Sequence, residues 1–280
     1  MKIPVFAYHS MNVHGNDYAT NDHAALAADL EHLTAEGFEI RSLHRIVEAL
    51  RSDPESLEGR RIAGLSCDDG PDFDYRDLDH PAWGAQRSVL NILRDFRERH
   101  PRAQPALHIT AFAIVSPQAR AALDRTCMVG RGWWNDDWWA PAAATGLMGI
   151  GNHSWDHNHE SLADPARPDE RRGTFLSIDT IDRAERQVAQ ADRYLRAKAP
   201  NPSAALFAYP YGEANAFLAE RYLPEYSART APGGGLRAAF TTQSDYVSRG
   251  SDPWRLPRFT CGHDWKSPAA LQRILEGAVG

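Results

Sequence analysis

His153-Ser154-Trp155-Asp156-His157 sets two imidazoles four residues apart. On a helix that spacing puts both rings on one face. Alone the pair is a weak signal: with 12 histidines in 280 residues, about 0.5 such pairs arise by chance, and two hydrogen-bonded surface histidines explain it as well. Asp68-Asp69 adds a second signal. Two adjacent carboxylates at the end of an apolar run repel each other and need a cation or donors nearby, although Asp-Gly-Pro is also ordinary turn chemistry. Together, two histidines and one carboxylate make a zinc-type ligand set that leaves a position open for water. The spare aspartate is then available as general base. One group polarises and another takes the proton, which is what metal-assisted hydrolysis needs.

These residues need a scaffold that brings distant segments together, and the chain reads as alternating apolar runs and helical stretches. Strands are expected at 3–8, 38–40, 62–67, 107–115, 147–151, 205–209 and 238–242. A helix capped by Asn21 or Asp22 carries Leu26, Leu30 and Leu33 and closes at Gly37; Ser42 is expected to cap another with Ile46, Val47 and Leu50. Val89, Leu90, Leu93 and Phe96 mark a third, and Ile181, Ala184, Val188, Ala191 and Leu195 a long amphipathic one. Strand–helix alternation implies βαβ units and a mainly parallel sheet. A (β/α) barrel is the natural closure, with chemistry on the loops after the strands. Asp68-Asp69-Gly70, Asn152–His157 and Pro210-Tyr211-Gly212 each follow an expected strand. The stretches 68–86 and 116–146 read as insertions lining the mouth. Gly233-Gly234-Gly235 reads as a flexible turn, because it lacks the strand-to-helix frame and Lys of a phosphate loop.

The ordered segments Ser-Cys-Asp68-Asp69-Gly-Pro, Gly-Asn-His153-Ser-Trp-Asp-His157 and Phe-Ala-Tyr-Pro210-Tyr211-Gly resemble the motifs of the polysaccharide deacetylases, the NodB-like enzymes of carbohydrate esterase family 4. Val5-Phe-Ala-Tyr-His9 extends the resemblance to the start of the chain. The resemblance implies a distorted (β/α) barrel with seven parallel strands, covering 1–280 as a single catalytic domain. It implies removal of an acetyl group from an amide on an amino sugar, with one divalent metal. By position, Asp69, His153 and His157 resemble the metal ligands and Asp68 the catalytic base. Tyr211 resembles the residue whose backbone N–H, with the metal, stabilises the oxyanion. Zinc is the first choice of metal; two histidines and a carboxylate also suit cobalt, nickel or iron.

The chain departs from the family in several places. Ser66-Cys67 stand where Thr-Phe is usual, and Ala208 stands where an arginine often pairs with the base. Arg258 in Leu-Pro-Arg is the candidate replacement, against a surface ion pair. Collapse of a tetrahedral intermediate requires an acid to protonate the amine, and His263, the only histidine after His159, is the candidate. Trp133, Trp134, Trp138 and Trp139 could stack on sugar faces, Trp139 being the expected substrate contact, or simply pack over the mouth. Asp72 and Asp74 could meet substrate hydroxyls or cap their loop. His80, His100 and His159 read as structural or solvated.

Composition narrows the partners. A net charge of -6 argues against nucleic acid, which wants a basic face. No stretch approaches the roughly 20 apolar residues of a membrane span. The N-terminal apolar run is too short for a signal peptide, so a cytoplasmic location is expected, with a small-molecule or carbohydrate substrate and no stated oligomer. Cys67, Cys127 and Cys261 are expected as reduced thiols. Alternatives are a hydrolase of another C–N bond, an imide or small amide, on the same scaffold, an N-formyl in place of an N-acetyl substrate, or a non-catalytic carbohydrate-binding domain.

Overall fold

The structure is a computed structural model that describes residues 1–163, 170–230 and 235–279; Gly233 and Gly234 of the expected turn lie outside them. Ten strands form. They are β1 (Val5–His9), β2 (Glu39–Arg41), β3 (Ile62–Asp69), β4 (Leu78–His80), β5 (Gly84–Gln86), β6 (Ile109–Ala113), β7 (Met148–Asn152), β8 (Leu206–Ala208), β9 (Ala238–Phe240) and β10 (Phe259–Thr260). Seven run parallel in the order β10-β1-β3-β6-β7-β8-β9, with β2 pairing the first half of β3. β4 and β5 form a separate antiparallel hairpin inside the first expected insertion. The closing segment bridges both edges: Leu256 pairs with Phe240 of β9 and Phe259 with Phe6 of β1. The expected seven-stranded distorted barrel is therefore the observed fold.

The strands read as continuous apolar runs because both of their faces are covered. Inside the barrel, Val5, Phe112, Leu206, Ala208 and Phe240 pack with Leu43 and Ile46 of helix α2 (Leu43–Ser52), where α1 is the helix Asp22–Ala35. Outside, Phe6, Tyr8, Leu65, Ile109 and Ile150 meet α1 residues Leu26, Leu30 and Leu33 and helix α3 (Val89–Arg99). The Asn21 side chain caps α1, accepting from the His23 and Ala24 N–H groups. Ser42 precedes α2 but makes no side-chain cap.

The long amphipathic helix also differs from expectation. It runs as Ile181–Ala184, a π turn Glu185–Ala189, and Gln190–Lys198, with Ile181 exposed rather than packed. The π turn has a local purpose. A π turn shifts the backbone out of the i→i−4 ladder, and here the Gln187 carbonyl accepts from Trp155 N at 2.8 Å and the Val188 carbonyl from Asn152 Nδ2 at 3.3 Å. The helix thus anchors the loop that carries His153 and His157. Among the described residues, no helix is long and apolar enough to cross a membrane.

Candidate metal centre and catalytic site

The site residues leave the C-terminal ends of β1, β3, β7 and β8, where the fold rule places them. Parallel register sets Asp69 opposite Ala113, Ala113 opposite Asn152, and Asn152 opposite Phe207. The segments after β3 and β7 therefore emerge side by side. Asp69, His153 and His157 offer ligand atoms that all lie within 4.8 Å of one another. The Nε2 atoms of His153 and His157 lie 3.6 and 3.8 Å from Asp69 Oδ1. These separations are too long for hydrogen bonds. They are close to the about 3.4 Å expected between two atoms each about 2.0–2.1 Å from one tetrahedral ion.

The surroundings fit a metal. His153 Nδ1 lies 2.9 Å from the Ala208 carbonyl, so it carries the proton and leaves the Nε2 lone pair for an ion. Ala208, where the resemblance leads one to expect an arginine, thus orients the His153 ring through its carbonyl. Burial, followed by the neighbouring His153 and His159, lowers the His157 pKa well below its ordinary value and keeps that ring neutral. Its ring meets Tyr211 edge-on at 4.5 Å.

The two histidines do not converge as a helix. They sit in a turn in which Ser154, His157 and Asn158 have φ of 69°, 61° and 47°. Asp69 and Tyr211, at 76° and 59°, complete the set of positive-φ non-glycine residues among the described ones. All five belong to the site, where backbone strain is held by surrounding contacts. Ser154 Oγ accepts from His157 N, and Asn158 Nδ2 donates to the carbonyls of Arg171 and Thr174 and to Ser177 Oγ. The Asp69 carbonyl accepts from Ile114 N and Trp134 Nε1. Gly70, at φ 70°, lets the turn pass against Ala113, where a Cβ would sit 2.6 Å from the Ala113 methyl.

Asp68 is buried beside the triad, and Arg258 reaches it from the closing segment. Nη1 and Nη2 of Arg258 each donate to one Asp68 oxygen, Nη1 also to Ser66 Oγ at 3.0 Å, and Nε to the Thr241 carbonyl at 3.0 Å. Burial alone would raise the Asp68 pKa; the guanidinium and then His153 outweigh it and hold the carboxyl well below the usual carboxylate range. The Tyr211 side chain is partly exposed, and its hydroxyl donates to Glu160 at 3.2 Å. Its backbone N–H has no acceptor among the described residues.

Two expected contacts are not brought to the metal centre. His263 is 80% exposed and contacts Asp264, with Nδ1 3.0 Å from Oδ1, rather than any member of the triad. That carboxylate orients the ring away from the triad's own contacts. Trp139 is fully buried. It begins helix α5 (Trp139–Ala144), following α4 (Pro117–Cys127), and its ring lies under the Arg120 guanidinium at 4.7 Å and meets Tyr194 edge-on. It is a packing residue under the mouth. Trp138 is also buried, stacked on Tyr75. Asp72 clasps the two insertions, accepting from Asn135 N and Nδ2 and from Arg76.

Two further residues stand out: His9, with no expected role, and Asp74, expected to meet substrate hydroxyls or cap its loop. His9 ends β1 opposite Asp68, and partners in register share a face of the sheet. Its backbone N–H is held by Asp22 at 2.7 Å, and its buried Nδ1 has no partner. Asp74 is fully buried, and its oxygens make no well-formed hydrogen bond. Burial pushes its pKa up to about 8, only partly offset by the nearby Ser10 hydroxyl and Cys67 thiol. Neither signal is local in sequence: His9 needs the β1–β3 register, and Asp74 needs the fold that covers it.

Residues 107–223, which contain His153, His157 and Tyr211, match the polysaccharide deacetylase family model. Three solved structures share the fold along essentially the whole chain. The Streptococcus pyogenes deacetylase PplD in complex with acetate is 17% identical, with TM-score 0.63, over 98% of this chain and 98% of that one. The de-N-acetylase from Aggregatibacter actinomycetemcomitans is 13% identical, TM-score 0.63, over 98% and 100%. IcaB from Ammonifex degensii is 16% identical, TM-score 0.63, over 100% and 97%. No curated protein matches the chain. The motif resemblance to the polysaccharide deacetylases is thus carried by a family match and by the fold, and it supports a deacetylase, a hydrolase by class.

Proposed function

We propose that the protein is a metal-dependent hydrolase that removes an N-acetyl or N-formyl group from an amino sugar or sugar conjugate. The observation that carries this reading is the convergence of Asp69, His153 and His157 beside Asp68, itself tied by Arg258. A divalent ion, for which zinc suits the donor set best, would supply Lewis acidity toward the acyl oxygen and make water more acidic. Asp68, kept ionised by Arg258, takes a proton from the attacking water. The Tyr211 N–H is a free donor for the oxygen that gains charge as the carbonyl carbon becomes tetrahedral. The C–N bond then breaks with its electron pair going to nitrogen, which must gain a proton to leave. We assign that role to His9, which ends β1 opposite Asp68 and has a ring nitrogen without a partner, rather than to the exposed His263. The products are a carboxylate and a free amine.

Acetate or formate release from a panel of N-acetyl and N-formyl sugars, free and nucleotide-linked, tests the reading alongside elemental analysis. His153→Ala should lose the metal. Asp68→Asn should keep it and lose about 10²- to 10⁴-fold in rate. Full turnover by metal-free wild-type protein would sink the proposal. Release from an imide or small amide alone would move the substrate but keep the chemistry.

A further inference from the structure

A cavity of about 260 Å³ lies at the end of the barrel opposite the metal centre, and its polar wall is His44, Arg45, Glu48, Arg196, Asn201 and Arg237. His44, Arg45 and Glu48 stand on α2, Asn201 comes shortly before β8, and Arg237 directly precedes β9. β8 and β9 run parallel, so these residues gather where strands begin. Asp69, His153 and His157 sit where strands end. The cavity takes no part in the chemistry proposed above.

Its charge runs against that of the chain. Three arginines face one carboxylate, Glu48, in a protein of net charge -6. Arg45 pairs with Glu48 at 3.0 Å. Arg196 is fixed in place: Nε donates to the buried Asp192 at 2.9 Å and Nη2 to the Ala204 and Gly235 carbonyls at 3.3 Å. Its Nη1 has no partner among the described residues. Arg237 is held only through its main chain, whose N–H donates to the Ala205 carbonyl at 2.7 Å, and its guanidinium is likewise unpaired there. The buried Nδ1 of His44 is also without a partner, as is that of His108, whose ring meets the His44 ring edge-on at 5.9 Å. Burial keeps both imidazoles below their ordinary pKa. His44 and Arg45 stand in the first turn of α2, which Ser42 leaves uncapped.

We propose that this cavity binds the phosphate group of a small phosphate monoester. Guanidinium groups stay charged and match phosphate oxygens, and Arg196 and Arg237 offer free donors from two separate elements. The His44 nitrogen adds a third polar contact, and the open first turn of α2 adds a field that favours an anion. A carboxylate brings two oxygens and one charge to these donors; a phosphate monoester brings three oxygens and roughly two charges. A cation would meet three guanidiniums. Val47 and Leu206 form an apolar part of the wall, which suits the organic body of a monoester better than a bare ion. The volume lies just below the roughly 300–1,000 Å³ of drug-sized sites, so the ligand is a small molecule. The inference stands apart from the deacetylase reading, because no residue of the metal centre enters it.

Isothermal titration of the whole protein with ribose 5-phosphate, inorganic phosphate and ribose tests it, at about 0.15 M salt to screen loose surface attraction. Ribose 5-phosphate should bind with submillimolar affinity, inorganic phosphate more weakly, and ribose not at all. Arg237→Ala should weaken ribose 5-phosphate about tenfold or more, the worth of a charged hydrogen bond, and Arg237→Glu should abolish its binding. Arg237 is exposed, so both variants should melt as wild type does. Arg94→Ala, on the exposed face of α3, should bind as wild type. Equal affinity for inorganic phosphate would support the cavity and identify free phosphate as its ligand. No binding at millimolar concentration, or unchanged affinity in Arg237→Glu, would overturn the proposal. Binding lost in His153→Ala but kept in Arg237→Glu would put the phosphate at the metal centre and overturn it too.

Discussion

Arg258 and Asp68 form a bidentate pair, with both N–O distances 2.7 Å, between residues 190 positions apart in the chain. Both are buried, at 0% and 2% exposure. Removing one partner of a buried ion pair leaves an uncompensated charge and costs about 3–5 kcal/mol. Arg258→Ala should lower unfolding stability by that order in urea titrations. Arg258→Lys keeps the charge but loses the fork, so kcat should fall with KM little changed. Full activity in Arg258→Lys would show that the orientation of Asp68 does not matter.

His9 and His263 can be told apart by leaving group. His9→Ala should lower kcat far more on an amide than on an activated ester, whose leaving group needs no proton. His263→Ala should affect both substrates little. The reverse pattern would return the acid to the exposed histidine of the last loop.

Trp139 is a stability residue. Replacing a fully buried tryptophan with alanine typically costs about 3–5 kcal/mol. Trp139→Ala should therefore melt earlier while the folded fraction keeps its KM. A raised KM at unchanged melting temperature would put this ring back in contact with substrate.

Asp74 couples stability to pH. An acid whose pKa is raised on folding holds its proton more tightly in the native state, so stability falls as pH rises from the unfolded carboxyl value, about 3.9, toward the folded value of about 8. Asp74→Asn cannot titrate, and its advantage over wild type should grow across that window. Urea unfolding at the two ends of the window measures it. An equal difference at both ends would mean that Asp74 is already ionised in the fold.

What could be read in advance was what residue type and local period carry. The triad and the aspartate pair were legible because their chemistry is rare in combination, and the strands because covered faces demand unbroken apolar runs. Arg258 was reached from the missing cation at Ala208. The rest depended on tertiary arrangement. The importance of His9 exists only in the register that sets it against Asp68. Helical spacing suggested how His153 and His157 meet, yet a turn with three positive-φ residues does it. The π turn is dictated by the loop that uses its carbonyls, and no apolar period reveals that. Aromatic composition suggested a sugar platform at Trp139, but Arg120 and Tyr194 bury it.

The closing strand also sets an order of events during synthesis. All three ligand residues have been made once the chain reaches His157, but the partner of Asp68 comes only at Arg258. At roughly 5–20 residues per second, that interval lasts on the order of 5–20 s. A nascent chain in that window has Asp69, His153 and His157 but no Arg258 to hold Asp68. On the proposed reading, hydrolytic competence would arrive only when the last strand docks against the first, so that a growing chain would not act on substrate before its barrel is shut.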